Sequence, residues 1–166
     1  MERMEHDEII DKPVHTVYNQ WTQFEDFPRF MEGIKSVRQL DATHLQWHAE
    51  IAGKDLEWEA EIIDQVPDQR IVWRSTTGVK HGGKVEFGPQ GSDRTRVKLV
   101  MEYEPEGIVE NIGDALGVPD HRVKGDLQRF KEFIETAAAE TGAWRGEVHR
   151  GEENTGSAPQ KPWPFA

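Results

Sequence analysis

The sequence predicts an α+β fold in which one curved antiparallel sheet wraps around a long C-terminal helix. Three observations carry this. The apolar period falls from about 3.6 to 2 near Ile34 and stays there to Tyr103. The connections between these alternating segments are too short for the crossovers that parallel strands require. One apolar stripe, Val123, Leu127, Phe130, Ile134 and Ala137, then runs along a single helix face.

The elements follow in order. Residues 5–10, "EHDEII", form a short first strand in which His6 and Glu8 occupy positions that a core strand would give to apolar groups. From Asp11, read as an N-cap, Val14, Val17, Tyr18 and Trp21 recur at i, i+3, i+4 and i+7 and predict a helix. "FEDFPRFM" predicts a second short helical turn through Phe27, Phe30 and Met31. Strands are then expected at "IKSVRQL", on both arms of "HLQWHAEIAGKDLEWEAEII", at "RIVWRST", at "KVEF" and at "TRVKLVMEYE", separated by the turns "DATH", "VPDQ", "TGVKHGG" and "GPQGSD". After Pro105 the pattern is helical to about Glu140, with a kink or break at Gly117 and Pro119. Residues 1–141 thus make one domain, and 142–166, polar and rich in Gly, Pro and Glu, read as a disordered tail with a possible docking motif at "KPWPF".

The central hairpin fixes which face is wet. With Gly53-Lys54 as the loop, Ile51 faces Leu56, Ala49 faces Trp58, Trp47 faces Ala60 and Leu45 faces Ile62, so large meets small at both tryptophans. The reverse face pairs His48 with Glu59, Gln46 with Glu61 and Glu50 with Glu57, and so many carboxylates must stay solvated. Continuing the alternation, Trp73, Val85, Phe87, Val97, Leu99, Met101 and Tyr103 fall inward, and Arg74, Lys84, Glu86, Arg96, Lys98 and Glu102 outward, with Val100 breaking the pattern. Such a face either fills a solid core or lines a pocket of flat, rigid side chains for an apolar guest; composition alone favours the core.

The 166 residues, 36% hydrophobic and 31% charged, suffice for one domain with a core. With 31 Asp and Glu against 20 Lys and Arg, the net charge of -11 opposes nucleic acid and anionic lipid surfaces as main partners. No cysteine is present, so thiolate metal sites and cysteine nucleophiles are excluded. No apolar run approaches the length of a membrane span and "MERMEHDEII" lacks a signal-peptide core, so no stable membrane insertion and a cytoplasmic location are expected.

Chemistry is sparsely marked. His44 and His48 share a strand face about 13 Å apart, too far for one metal; no metal site and no cofactor are expected. Arg74 is expected to pair with the Glu59 and Glu61 row instead of clamping an anion. Groups able to move a proton within the inward face or beside it are Tyr103, His81 and His121, each of which has a structural role as the plainer explanation.

The segments "PVHTVYNQWTQFEDFPRFM", "EWEAEIIDQVPDQRIVWRSTTG", "TRVKLVMEYEPEG" and "GDLQRFKEFIE" resemble the polyketide cyclase/dehydrase and lipid-transport branch of the START-like (SRPBCC) superfamily over roughly residues 5–141. The resemblance implies a helix-grip fold, a seven-stranded antiparallel sheet gripping the C-terminal helix, with two short helices after the first strand and a tunnel for hydrophobic ligands. That shifts the expectation from solid core to cavity. Its expected lining is Trp21, Phe27, Trp47, Trp58, Trp73, Phe87, Met101, Tyr103, Leu127 and Phe130. Three functions follow as expectations: a binder or carrier of a small hydrophobic molecule (lipid, quinone or polyketide-like), a polyketide cyclase or dehydratase, or an interaction module that uses the acidic sheet face or the tail to hold a protein partner.

Overall fold

The chain runs β1 (Glu2–Ile10), α1 (Val14–Trp21), a 3-10 helix (Phe24–Arg29), β2 (Ile34–Gln39), β3 (His44–Ile51), β4 (Lys54–Val66), β5 (Arg70–Ser75), β6 (His81–Pro89), β7 (Thr95–Tyr103), α2 (Val118–Thr136), β8 (Glu147–His149) and β9 (Glu152–Asn154). This computed structural model describes residues 2–51, 53–78, 80–103 and 118–154. The strands form one antiparallel sheet in the order β1-β7-β6-β5-β4-β3-β2, a meander closed by the return of β1 to β7. The α+β sheet and C-terminal helix of the helix-grip architecture are therefore present, with two more strands than the expected seven.

Those extra strands come from the stretch assigned by composition to a tail. The 13-residue β4 outruns β3, whose first residue His44 pairs with Glu61, and its free edge beyond that point takes β8 through Asp64–His149 and Gln65–Val148. An unpaired backbone edge is costly to leave open, and the C-terminal segment satisfies it. Arg150 and Gly151, at φ 56° and 72°, make the two-residue turn from β8 to β9. The segment is also tied back across α1: Gln20 Oε1 accepts from Thr141 N at 2.9 Å, and Arg145 donates to Asn19 Oδ1 at 2.6 Å and pairs with Asp68 at 2.7 Å. This is why Asn19 and Gln20, polar and off the expected stripe, are buried. The "KPWPF" motif lies outside the described residues, as does the segment 104–117 expected to be helical.

Local expectations are corrected in several places. The cap of α1 is Pro13, with no side-chain bond; Asp11 instead pairs with Arg94 at 3.0 Å and its N–H donates to Glu135 Oε2. Phe24, Phe27 and Phe30 are all buried at a spacing of three, the period of a 3-10 helix. The helix α2 ends at Thr136, a turn short of the expected end near Glu140, and the chain leaves it to place Thr141 against Gln20 and Asp26.

The β2–β3 turn is held by Asp41, whose Oδ1 accepts from Thr43 N and His44 N at 2.8 Å each. The Thr43 backbone N–H foremost, and then the His44 ring, hold this carboxyl down at about 2, below its ordinary 3.8. Its contribution is therefore complete above the ordinary value and lost as pH falls through about 2. Asp41→Ala is expected to cost about 1 kcal/mol at neutral pH, because the carboxylate is solvent-screened. Urea unfolding should show that difference shrinking as the pH is lowered into the acid range.

Candidate functional site

The inner face has two unlike ends. At one, α1, the 3-10 helix and the apolar stripe of α2 meet the sheet in a closed aromatic cluster. Trp21 lies edge-on to Phe130 with centroids 4.8 Å apart, Phe30 to Phe130 at 5.1 Å and Tyr18 to Phe87 at 5.2 Å. Trp21, Phe27, Phe87, Leu127 and Phe130, five of the residues expected to face a ligand, are exposed by 3%, 3%, 5%, 2% and 0%. At this end they pack against protein and form a floor. Burial pushes the Tyr18 phenol up to about 12, and its oxygen accepts from Gln65 Nε2 at 3.0 Å, so this inward tyrosine stays protonated.

At the other end Trp47, Trp58, Trp73 and Met101 are only partly buried. The placement of Trp47 and Trp58 follows from a hairpin register two residues away from the expected one. Ile51 pairs with Lys54, so Trp47 faces Trp58, Ala49 faces Leu56 and Leu45 faces Ala60; on the reverse face His48 meets Glu57, Gln46 meets Glu59 and Glu50 meets Asp55. The tight turn sits one residue earlier than expected, because the positive φ of 79° at Gly53 is needed at its second loop position. A shift of two preserves the faces while exchanging the partners. Instead of a large-over-small step, the indoles of Trp47 and Trp58 lie parallel within 8°, centroids 5.7 Å apart.

The next row runs Trp73, Gly83, Met101, Met4 across β5, β6, β7 and β1. A Cβ on Gly83 would stand 2.2 Å from Trp73 Cζ2, so the indole lies directly on the bare glycine backbone. The dipeptide Gly82-Gly83 opposite a tryptophan was a usable signal for this seat that sequence reasoning read only as loop composition.

His81 begins β6 on the inner face, its ring 5.5 Å from that of Trp58 and perpendicular to it, and its N–H donates to Ser75 Oγ at 3.0 Å. It is therefore not a loop residue. Tyr103 is its cross-strand partner in the register; the Tyr103 and His121 side chains lie outside the described residues. His6 and Glu8 pair with Leu99 and Val97 and are half-buried on the inner side of β1, so that face carries more ionisable groups than its aromatic pattern suggested. On the outer face Arg74 pairs with Glu61 at 3.7 Å, as its strand phase required.

A polar clamp ties α2 to the segment that follows the 3-10 helix. Arg129 Nε donates to Phe30 O at 2.8 Å, Arg122 donates to Glu32 O, and Glu32 N donates to Asp126 Oδ1 at 3.1 Å. Burial pushes the Asp126 carboxyl up, with Arg129 opposing it. Residues 30–32, next to the partly buried Met31 and Ile34, are thus held to α2 by charged and backbone hydrogen bonds. The open end thus offers three indoles and the Met101 thioether, with the His81 ring beside Trp58. Among the described residues no group of three His, Asp or Glu converges as a metal site, and no helix is long and apolar enough to cross a membrane.

Comparison with known proteins places this geometry. Residues 10–132 match the family model described as polyketide cyclase / dehydrase and lipid transport. An uncharacterized 17.2 kDa protein of Streptomyces lincolnensis is 43% identical over 149 residues, covering 89% of this chain and 99% of its own length. Among solved structures, a protein of Deinococcus radiodurans is 28% identical with a TM-score of 0.65 over 81% of this chain and 98% of its own. The Zhui aromatase/cyclase of Streptomyces sp. R1128, 16% identical, shares the fold with a TM-score of 0.68 over 81% of this chain and 93% of its own.

Proposed function

Because the chain belongs to the polyketide cyclase/dehydrase and lipid transport family, within the START-like proteins, we propose that it binds and carries one small hydrophobic molecule, of lipid, quinone or polyketide type, between the sheet and α2. The observation that carries this is the asymmetry of the inner face. Side chains of similar size and chemistry are sealed at the Trp21–Phe130 end and left partly open at the Trp47–Trp58–Trp73 end. Partly exposed indoles aligned on one concave face are costly in water unless a partner covers them. Trp47, Trp58, Trp73 and Met101 form the wall of the proposed site; Trp21, Phe27, Phe87, Leu127 and Phe130 are its floor. The proposal includes a cytoplasmic location.

Native mass spectrometry and solvent extraction of the purified protein test it: a co-purifying apolar molecule is expected. Trp58→Ala should weaken its retention about tenfold while leaving the unfolding transition in place, since removing one aromatic contact face is worth about 1–2 kcal/mol. No ligand and no fluorescence response across lipid, quinone and polyketide panels would overturn the proposal.

A second reading, cyclisation or dehydration of a polyketide, is favoured by one observation, the pairing of His81 with Tyr103 across β6 and β7 beside Trp58. It predicts that His81→Ala and Tyr103→Phe each abolish turnover of a poly-β-ketone while the fold survives; unchanged turnover in both rejects these roles.

A further inference from the structure

We infer that, granted the binding site read at the Trp47–Trp58–Trp73 end, the Glu32–Gly33 turn is a hinged flap at its edge with α2 as the catch. A guest enters and leaves when this catch lets go.

The turn joins the sealed rings to the far end of β3. Before it, Phe27 packs on Trp47 with centroids 5.7 Å apart, and Phe30 on Phe130 at 5.1 Å. After it, Gly33 O accepts from Glu50 N at 2.7 Å and Ile34 pairs with Ala49, two residues from Trp47 and on the same face of β3. Between these points α2 is stitched to the segment by one row of side chains, Arg129, Asp126 and Arg122, whose spacing puts them on one helix face. Arg129 Nε donates to Phe30 O at 2.8 Å, Glu32 N donates to Asp126 Oδ1 at 3.1 Å, and Arg122 Nε donates to Glu32 O at 3.1 Å. Arg122 stands about 12 Å along the helix from Phe130 at the α-helical rise. The row therefore runs from the sealed rings toward the end of β3.

It is backed unevenly. Beside Arg129 the buried Leu127 and Phe130 anchor the helix in the core, whereas the bonds of Arg122 and Asp126 to the turn are exposed. Water competes for such exposed charged contacts, so they hold weakly. Gly33 supplies the pivot: its φ of 82° is open to glycine at no steric cost, and a Cβ there would overlap the Arg122 guanidinium and stand 3.0 Å from Glu50 O. The bare backbone is both the hinge and the seat of the catch. A turn held by exposed charge and hinged on glycine opens at far lower cost than the ring cluster beside it.

Stopped-flow mixing with 9-fluorenone, a flat uncharged probe, followed by tryptophan fluorescence, tests this on the wild type, Arg122→Met and Gly33→Ala. In the unaltered protein the binding rate should level off as the probe concentration rises, because opening then limits entry. Arg122→Met removes the donors and keeps most of the chain length; Gly33→Ala pushes the guanidinium off its seat. Each should raise that ceiling and the release rate together by about fivefold, with Kd held within about twofold, since the same catch closes the empty and the loaded protein. A wild-type rate that climbs linearly to the highest concentration overturns the flap, as do variants that weaken Kd at an unchanged entry rate; both leave the site standing. No binding of 9-fluorenone by any of the three proteins removes the site at this end, and the flap with it.

Discussion

Phe130→Ala is expected to lower the unfolding free energy by about 3–5 kcal/mol, the upper range for truncating a buried aromatic residue. Phe130 is 0% exposed and stands at the crossing of α2 with the closed aromatic cluster, edge-on to both Trp21 and Phe30. Its removal deletes two oriented ring contacts and leaves a void walled by rigid side chains that collapse poorly. A loss of that size is a large share of the stability of a domain this small. Denaturant titration checks it. A loss under 1 kcal/mol would mean that this end is loosely filled and that floor and open site are wrongly divided.

Gly83→Val should abolish ligand response while costing about 1–3 kcal/mol of stability. The seat of Trp73 allows no Cβ: the three nearest ring atoms would lie at 2.2 to 2.7 Å, so the indole must leave the strand and enter the space proposed for the guest. Gly88 in the same strand provides the control, since a Cβ there meets only Arg96 O, at 3.9 Å. Gly88→Ala is expected to leave binding unchanged. Equal binding by the Gly83 variant would detach Trp73 from the site.

Much of the architecture was legible because it depends on periodicity. The alternation put Trp47, Trp58, Trp73 and Met101 on one face even where the hairpin partners were wrong, since a slip of two residues leaves every side chain on its own face, but it did not show that Glu102, on the reverse face, is buried. What periodicity could not supply was the register, which turns on the backbone conformation at Gly53 and decides that Trp47 meets Trp58 and not Ala60. Nor could it separate floor from wall. Trp21 and Trp47 look alike as inward aromatic residues, yet Trp21, edge-on to Phe130, is 3% exposed, and Trp47, stacked on Trp58, is partly open. The polar C-terminal stretch reads as a tail because composition does not reveal that β4, beyond Glu61, lacks a partner on its β3 side. The two glycines beside His81 suggest a turn for a related reason, whereas Gly83 is in the strand to receive an indole.

The division of the inner face into a sealed floor and an open aromatic wall can be read residue by residue from the indole N–H signals of the six tryptophans in a nitrogen-15 labelled sample. On addition of 9-fluorenone, the resonances of Trp47, Trp58 and Trp73 are expected to move together and saturably, with Trp21 unmoved. Binding that leaves those three signals in place would contradict the account.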